Sequence, residues 1–288
     1  MPSLTFRGRT WTRDRAMVMA IVNRTPDSFY DNGATFAEQA ARDAVTAAVR
    51  EGADVIDIGG VPASPGSEVT EQDEIDRVVP TVEWVRKQFP DVVISVDTFR
   101  AAPADAVCAA GADLVNDNWA AADPGILDVA ARWGAGYISA HTDNVTPRTE
   151  PHRPFYDDVV ASVLEQTTAL AEKAVAAGVP REGIMIDPAI DFSKNTLHSL
   201  AVLREVDRMV ATGWPVLLAM SNKTVVGESL DAPLGERVTG TLAATALAVD
   251  RGVAMVRAHQ VAATRQTCEM VAIVRGERNP ARAVRLLA

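Results

Sequence analysis

Along the chain, short runs of almost unbroken apolar residues alternate with longer, alanine-rich amphipathic stretches. The runs are AMVMAIVN, DVIDI, DVVISVD, DLV, GYISA, GIMI, PVLLAM and AMV. Such runs, without polar alternation, suit parallel strands covered on both faces. Helices are predicted between them over roughly 37–51, 71–88, 101–110, 124–132, 157–177, 196–211, 235–251 and 261–275. In DDVVASVLEQTTALAEKAVAAG, Val159, Val160, Val163, Leu164, Leu170, Ala171, Ala174 and Val175 recur at threes and fours and share one face. Gly52, Gly111, Gly134, Gly178, Gly213 and Gly252 each stand between a helix and the next strand, where a left-handed cap belongs. Eight such units predict a (β/α)8 TIM barrel. A doubly wound open sheet uses the same alternation, but its G-x-G-x-x-G after the first strand is missing. With no linker or composition break, residues 1–288 read as one domain, and VTPRTEPHRPF as a long loop after the fifth strand.

Composition narrows the function classes. A hydrophobic share of 48% with 23% charged residues describes a globular chain with material for a core. A net charge of -10 argues against a phosphate-backbone binder, so no nucleic acid partner is expected. No apolar run reaches 18 residues and MPSLTFRGRTWTRDR lacks an apolar signal region, so a cytoplasmic protein with no membrane partner is expected. Cys108 and Cys268 stand in helix-like segments without metal spacing and read as buried apolar residues.

In such a barrel, chemistry gathers at the carboxyl ends of the strands. The residues standing there are Asn23, Asp97, Asn116 with Asp117, His141, Asp187, Ser221 with Lys223, and Arg257 with His259. Each alone has a structural explanation, as a helix cap or a bonded packing residue. Together they form a rim. Two carboxylates, an amide and a lysine from strands three, four, six and seven suit a neutral planar heterocycle with N–H donors and ring acceptors. Asn23, Arg257 and His259, from the neighbouring first and last strands, suit an oxyanion or phosphate, with Mg²⁺.

These residues lie within MAIVNRTPDSFYDNG, GADVIDIGG, ISVDT, GADLVND, IDPAIDFSKN, LAMSNK and VRAHQV, which resemble dihydropteroate synthase in order and over nearly the whole chain. The resemblance implies a pterin-binding barrel that joins 6-hydroxymethyl-7,8-dihydropterin diphosphate to p-aminobenzoate, with Mg²⁺ as cofactor and a homodimer as assembly. By that resemblance Asp97, Asn116, Asp187, Phe192 and Lys223 hold the pterin, and Asn23, Arg257 and His259 the diphosphate. Asn23 also stands at the metal, Ser221 lies near the p-aminobenzoate carboxylate, and Asp97, Lys223, Arg257 and His259 carry catalysis. A methyltetrahydrofolate-dependent methyltransferase shares barrel and pterin pocket, but N-x-T-P-D-S-F and R-x-H suit a diphosphate leaving group better.

The chain departs from the family on the second-substrate side. Where the family reads G-G-E-S-T-R-P-G, this chain has GGVPASPG, with Val61 for Glu and Ala63-Ser64 for Thr-Arg. Asn222 stands in S-R-K; Ala189, Asp191 and Ser193 replace glycines of D-P-G-x-G-F-G-K; Arg24 replaces Val of N-V-T-P. SAHT takes the place of M-H-M, and Gln260 follows His259 where Asp is common. Losing a bidentate arginine to a buried anion costs ~2 to 4 kcal/mol, roughly 30- to 1,000-fold. Arg24 is expected to supply replacement charge, with Ser64, Ser221 and Asn222 completing the second-substrate loops. The pattern resembles a divergent second synthase paralogue of actinobacteria regarded as lacking the ordinary activity. It implies a transferase of weak or altered activity or, alternatively, an inactive pterin-binding paralogue with a regulatory or other role.

Overall fold

The computed structural model describes residues 3–26, 33–143, 145–149 and 154–285. Asp27, Ser28 and Phe29 of the first loop, and residues 150–153 of the loop after the fifth barrel strand, lie outside them.

A hairpin of β1 (Ser3–Phe6) and β2 (Arg9–Thr12) leads into β3 (Met17–Asn23), α1 (Glu38–Glu51), β4 (Val55–Gly59), α2 (Glu71–Gln88), β5 (Val93–Asp97), α3 (Ala101–Ala110), β6 (Leu114–Asp117) and α4 (Gly125–Trp133). Then come β7 (Gly136–Ala140), α5 (Val159–Ala176), β8 (Ile184–Asp187), α6 (Thr196–Arg204), α7 (Val206–Val210), β9 (Leu217–Ala219), α8 (Thr224–Leu230), α9 (Val238–Asp250), β10 (Met255–Ala258) and α10 (Val261–Val274). Strands β3 to β10 pair in parallel in the order β8-β7-β6-β5-β4-β3-β10-β9. An Ile186–Val216 bridge, with Ile186 N donating to Pro215 O at 2.9 Å, closes the sheet into a barrel. The TIM barrel expected from the pattern is present.

The six inter-unit glycines all have positive φ, from 60° to 115°, as caps that let each helix turn back to its strand. The helix expected over 196–211 is two, α6 and α7, meeting at Glu205 (φ -115°, ψ 24°). The hairpin and α8 were not anticipated. The hairpin has a clear role: Leu4, Phe6 and Trp11 join Met17, Met19, Val55, Val93, Leu114, Ile138, Met185, Leu217 and Met255 in one cluster that fills the barrel from below. Phe6 stacks on Trp11 at 4.7 Å, and a Cβ on Gly136 would stand 2.9 Å from the Phe6 ring, so only glycine admits the plug.

Strand alternation sorts everything above that plug. In β3, Met17 and Met19 enter the inner cluster, whereas Val18, Ala20 and Val22 enter the outer cluster between sheet and helices. Continuing the period points Asn23 inward and Arg24 outward. By the same rule Asp57, Ser95, Asp97, Asn116, Asp187, Ser221, Arg257 and His259 face in.

Asp117 and His141 face out. The Asp117 carboxylate accepts from Tyr137 Oη at 2.7 Å, Trp119 N at 2.9 Å and Ala121 N at 2.6 Å. His141 faces α5, its Nε2 3.1 Å from Ser162 Oγ. Neither belongs to the ring of inward groups, contrary to the expectation from strand ends. Tyr137→Phe is expected to lower stability by about 1 to 2 kcal/mol in chemical denaturation, because a buried carboxylate loses one of its donors. Ligand binding inside the barrel should be unchanged, since the pair lies on the other side of the sheet.

Candidate active site

Asp57 stands at the centre of the inward face, with no exposure to solvent. Three neighbours answer its charge: Ser95 Oγ donates at 2.6 Å, Asn116 Nδ2 at 3.2 Å and Arg257 Nε at 2.7 Å. Arg257 Nη2 continues to Asp97 Oδ2 at 3.1 Å, which also accepts from Asn118 Nδ2 at 2.9 Å. Burial opposes the charge on Arg257, but Asp57 and Asp97 outweigh it and hold its pKa above the ordinary value. Burial pushes the Asp97 carboxyl up to about 7, with Arg257 pulling down and Asp57 pushing up.

Above this network lies a cavity of about 130 Å³. Asn23, Asp97, Phe192, Lys223, Arg257 and His259 line it, opposite Val61, Pro62, Ala63 and Ser64. Asn116 and Asp187 lie deeper and are almost wholly buried. The Asn116 amide nitrogen is committed to Asp57, while its oxygen has no hydrogen-bond partner among the described residues. Asp187 Oδ1 accepts from Ala189 N at 2.7 Å, and burial raises its pKa against the pull of Lys223. Burial lowers Lys223 to about 8; its Nζ donates to Ile190 O at 2.6 Å and sits 4.8 Å from the Phe192 ring centroid.

Ser221 and His259 form a unit. The His259 backbone N–H donates to Ser221 Oγ at 3.2 Å, and that hydroxyl lies 3.0 Å from Nδ1 of the same residue. Ser221 therefore orients the imidazole.

Two second-substrate expectations are corrected. Arg24 turns to the helix layer, where Nε donates to Arg77 O at 3.1 Å and Nη1 to Phe36 O. Its even position in the strand period takes it away from the cavity, so it is not the replacement charge for Ser64. Asn222 is fully buried at φ 56°; its backbone N–H donates to Thr241 Oγ1 at 3.1 Å and its Nδ2 to Gln260 Oε1 at 3.0 Å. It braces α9 instead of lining the cavity. Ser64 does line it.

Asp57, Asn118, Trp119 and Lys194 were missed by sequence reading. Asp57 had a signal: it is a carboxylate inside an apolar run, two residues before the inward Gly59. Trp119 meets Phe192 edge-on, with centroids 6.0 Å apart and planes at 84°, at the cavity mouth. Lys194 is buried, with Nζ 2.7 Å from His141 Nδ1 and donating to Phe192 O at 3.0 Å. Burial and Lys194 press His141 down to about 3, so at neutral pH the ring accepts at Nδ1. His141 thus fastens the loop carrying Phe192.

That loop holds Ala189 at φ 49°, Asp191 at 68° and Ser193 at 50°. A left-handed non-glycine residue costs roughly 1–3 kcal/mol. Side chains support the shape: Asp191 accepts from Val225 N at 3.1 Å, and Ser193 Oγ donates to Thr142 O at 2.8 Å. Among the described residues, no group of three or more His, Cys, Asp or Glu side chains could hold a metal ion.

Residues 19–259 match the pterin binding enzyme family. A Mycobacterium bovis protein described as inactive dihydropteroate synthase 2 is 59% identical over 288 residues, covering 99% of this chain and 91% of that protein. The Haemophilus influenzae dihydropteroate synthase is 37% identical over 248 residues, 86% of this chain and 90% of that one. A crystal structure of the Yersinia pestis dihydropteroate synthase with a sulfonamide drug complex matches at a TM-score of 0.90 and 36% identity, covering 96% of this chain and all of that one.

Asp97 should titrate near 7 in carbon-13 NMR of aspartate carboxyls. Asp57→Asn should lower that value and Arg257→Gln raise it, because each removes an opposite Coulombic influence. Since folding raises this pKa from 3.8, the contribution of Asp97 to stability is fully present below 3.8 and is lost as the pH rises through about 7. Asp97→Asn should flatten that part of the stability curve.

Proposed function

Because the chain belongs to the pterin binding enzyme family, we propose that its inner cavity binds a dihydropterin diphosphate and that the protein is a transferase of the dihydropteroate synthase type with an altered second-substrate side. The observation that carries this reading is the buried Asn116 oxygen without a partner among the described residues, together with a second inward and buried polar group, the Asp187 carboxylate. A buried acceptor left unsatisfied costs about 1–3 kcal/mol, which a ligand N–H recovers. A pterin edge offers such donors; Lys223 faces its ring acceptors, and Phe192 borders its plane.

Arg257 and His259 stand where negative charge would develop on leaving diphosphate. Two of the three guanidinium nitrogens of Arg257 are held by carboxylates, which fixes its fork in advance of the ligand. In the reaction, the bond from the pterin methylene carbon to diphosphate oxygen breaks, the arylamine nitrogen bonds to that carbon, and the amine loses a proton. Ionised Asp97 stabilises the cationic pterin between those events. No protein nucleophile is required.

Mg²⁺ fits as an ion carried by the diphosphate. Asn23 lines the cavity, but its amide offers a single neutral oxygen, and Mg²⁺ is commonly held by few protein oxygens together with substrate phosphates. Bound there, it supplies further neutralisation of the leaving group.

A second reading, an inactive pterin-binding paralogue, is favoured by the loop at 61–64. Val61, Pro62, Ala63 and Ser64 face the cavity with no charged side chain, and the Mycobacterium bovis relative is named as inactive. We further infer a homodimer, through α9 and α10, which expose Leu247, Met270 and Val274 beside a groove lined by Ala243 and Ala246. With no helix among the described residues long and apolar enough to cross a membrane, a cytoplasmic location is the proposal.

Calorimetry should show pterin diphosphate binding in the presence of Mg²⁺, and Asn116→Ala should weaken it roughly 10- to 100-fold. Diphosphate release on adding p-aminobenzoate supports the transferase, binding without release supports the inactive paralogue, and absence of binding defeats both. Leu247→Glu should convert a dimer to a monomer in light scattering, and a monomeric parent protein would refute the assembly.

A further inference from the structure

A second recess of about 380 Å³ opens beside the first and shares Ala63, Ser64, Trp119, Phe192 and Lys223 with it. Arg148, which plays no part in the rim of strand-end residues, touches the wall of this recess through Ser64. Its backbone is left-handed, at φ 59°, and its side chain crosses to the 61–64 loop, with Nε 3.4 Å from Ser64 O. Its Nη2 is buried and has no hydrogen-bond partner among the described residues. Val145 and Thr149, on either side of it in the chain, line the recess together with Ser64.

We propose that Arg148 is the carboxylate-binding cation of the second-substrate subsite, standing in for the cation that the loop after β4 lacks. The proposal rests on the transferase reading above. A guanidinium nitrogen out of water without an acceptor is an unmet demand, and a carboxylate meets it with charge-assisted, often bidentate bonds. The Ser64 contact is long and weak, so an incoming carboxylate displaces it readily.

The other cations near the recess are engaged elsewhere. Lys223 donates to Ile190 O, and Arg237 donates to Ala232 O and Asn222 O, both at 3.1 Å. Asp191 on the recess wall is occupied by Val225 N and Ser199 Oγ, so its charge is already met from α8 and α6. Trp119 and Phe192, edge to face, supply the apolar walls that an arene needs. A guanidinium from the loop after β7 thus stands where the loop after β4 carries none.

The test uses the full-length protein with Mg²⁺, titrated by calorimetry with p-aminobenzoate and with p-toluidine, which replaces the carboxylate by a methyl group. Each titration is run with and without inorganic diphosphate and 6-hydroxymethylpterin. The parent should prefer p-aminobenzoate roughly 10- to 100-fold. Arg148→Ala should abolish that preference while leaving p-toluidine and pterin affinities unchanged, and Arg148→Lys should keep part of it. An unaltered preference in Arg148→Ala, no preference in the parent, or no binding of either amine would overturn the proposal. Loss of pterin binding alone would overturn the transferase reading and leave the Arg148 comparison to be judged from the titrations without pterin.

Discussion

A carboxylate without access to water lies inside the barrel, and the groups above it are arranged by the need to answer its charge. Asp57 is reached by Ser95, Asn116 and Arg257 from three other strands. Buried ion pairs add little net stability, because desolvation offsets attraction. What this one supplies is direction. Asn116 is turned so that its nitrogen faces Asp57 and its oxygen is left over, and Arg257 is drawn into a fork that also holds Asp97. The raised pKa of Asp97 follows from its burial, with Arg257 opposing the rise and Asp57 adding to it.

Around that centre the two halves of the site have different histories in chemical terms. On the side proposed for the pterin the inward groups are present and supported from behind, Phe192 by a loop that Lys194 and His141 fasten and His259 by Ser221. Three non-glycine residues hold that loop in left-handed conformations, which glycine would take without strain, so backbone shape has been kept at an energetic cost. On the opposite side the loop after β4 keeps its course, tied to α2 by Arg77 Nη1 donating to Gly60 O at 2.9 Å, while its side chains have become small and neutral. On the proposed function, binding of the first ligand and turnover with the second are therefore separable.

Much of this was legible in the chain. The eight apolar runs, the helical periodicities and the glycines between them determined a TIM barrel, and the residues at strand ends named the positions from which a site is built. The family resemblance selected pterin and diphosphate chemistry, and it marked Val61 to Ser64 as changed. The phase of each strand was not legible. Strands buried on both faces lack the apolar-polar alternation that would reveal which residues face inward. Asp117, His141 and Arg24 could therefore be placed at strand ends but not on a side of the sheet.

Tertiary structure decided the rest. Closing the barrel set the inward phase, which admitted Asp57 to the site and turned Arg24 into the helix layer. Folding two distant loops together brought Arg148 to Ser64 across 84 residues of chain, a contact that depends on a left-handed backbone at an ordinary L residue. Local periodicity carries the order of elements because it acts within a few residues. Charge pairing inside a barrel depends on which faces meet after closure, and that is a property of the whole ring.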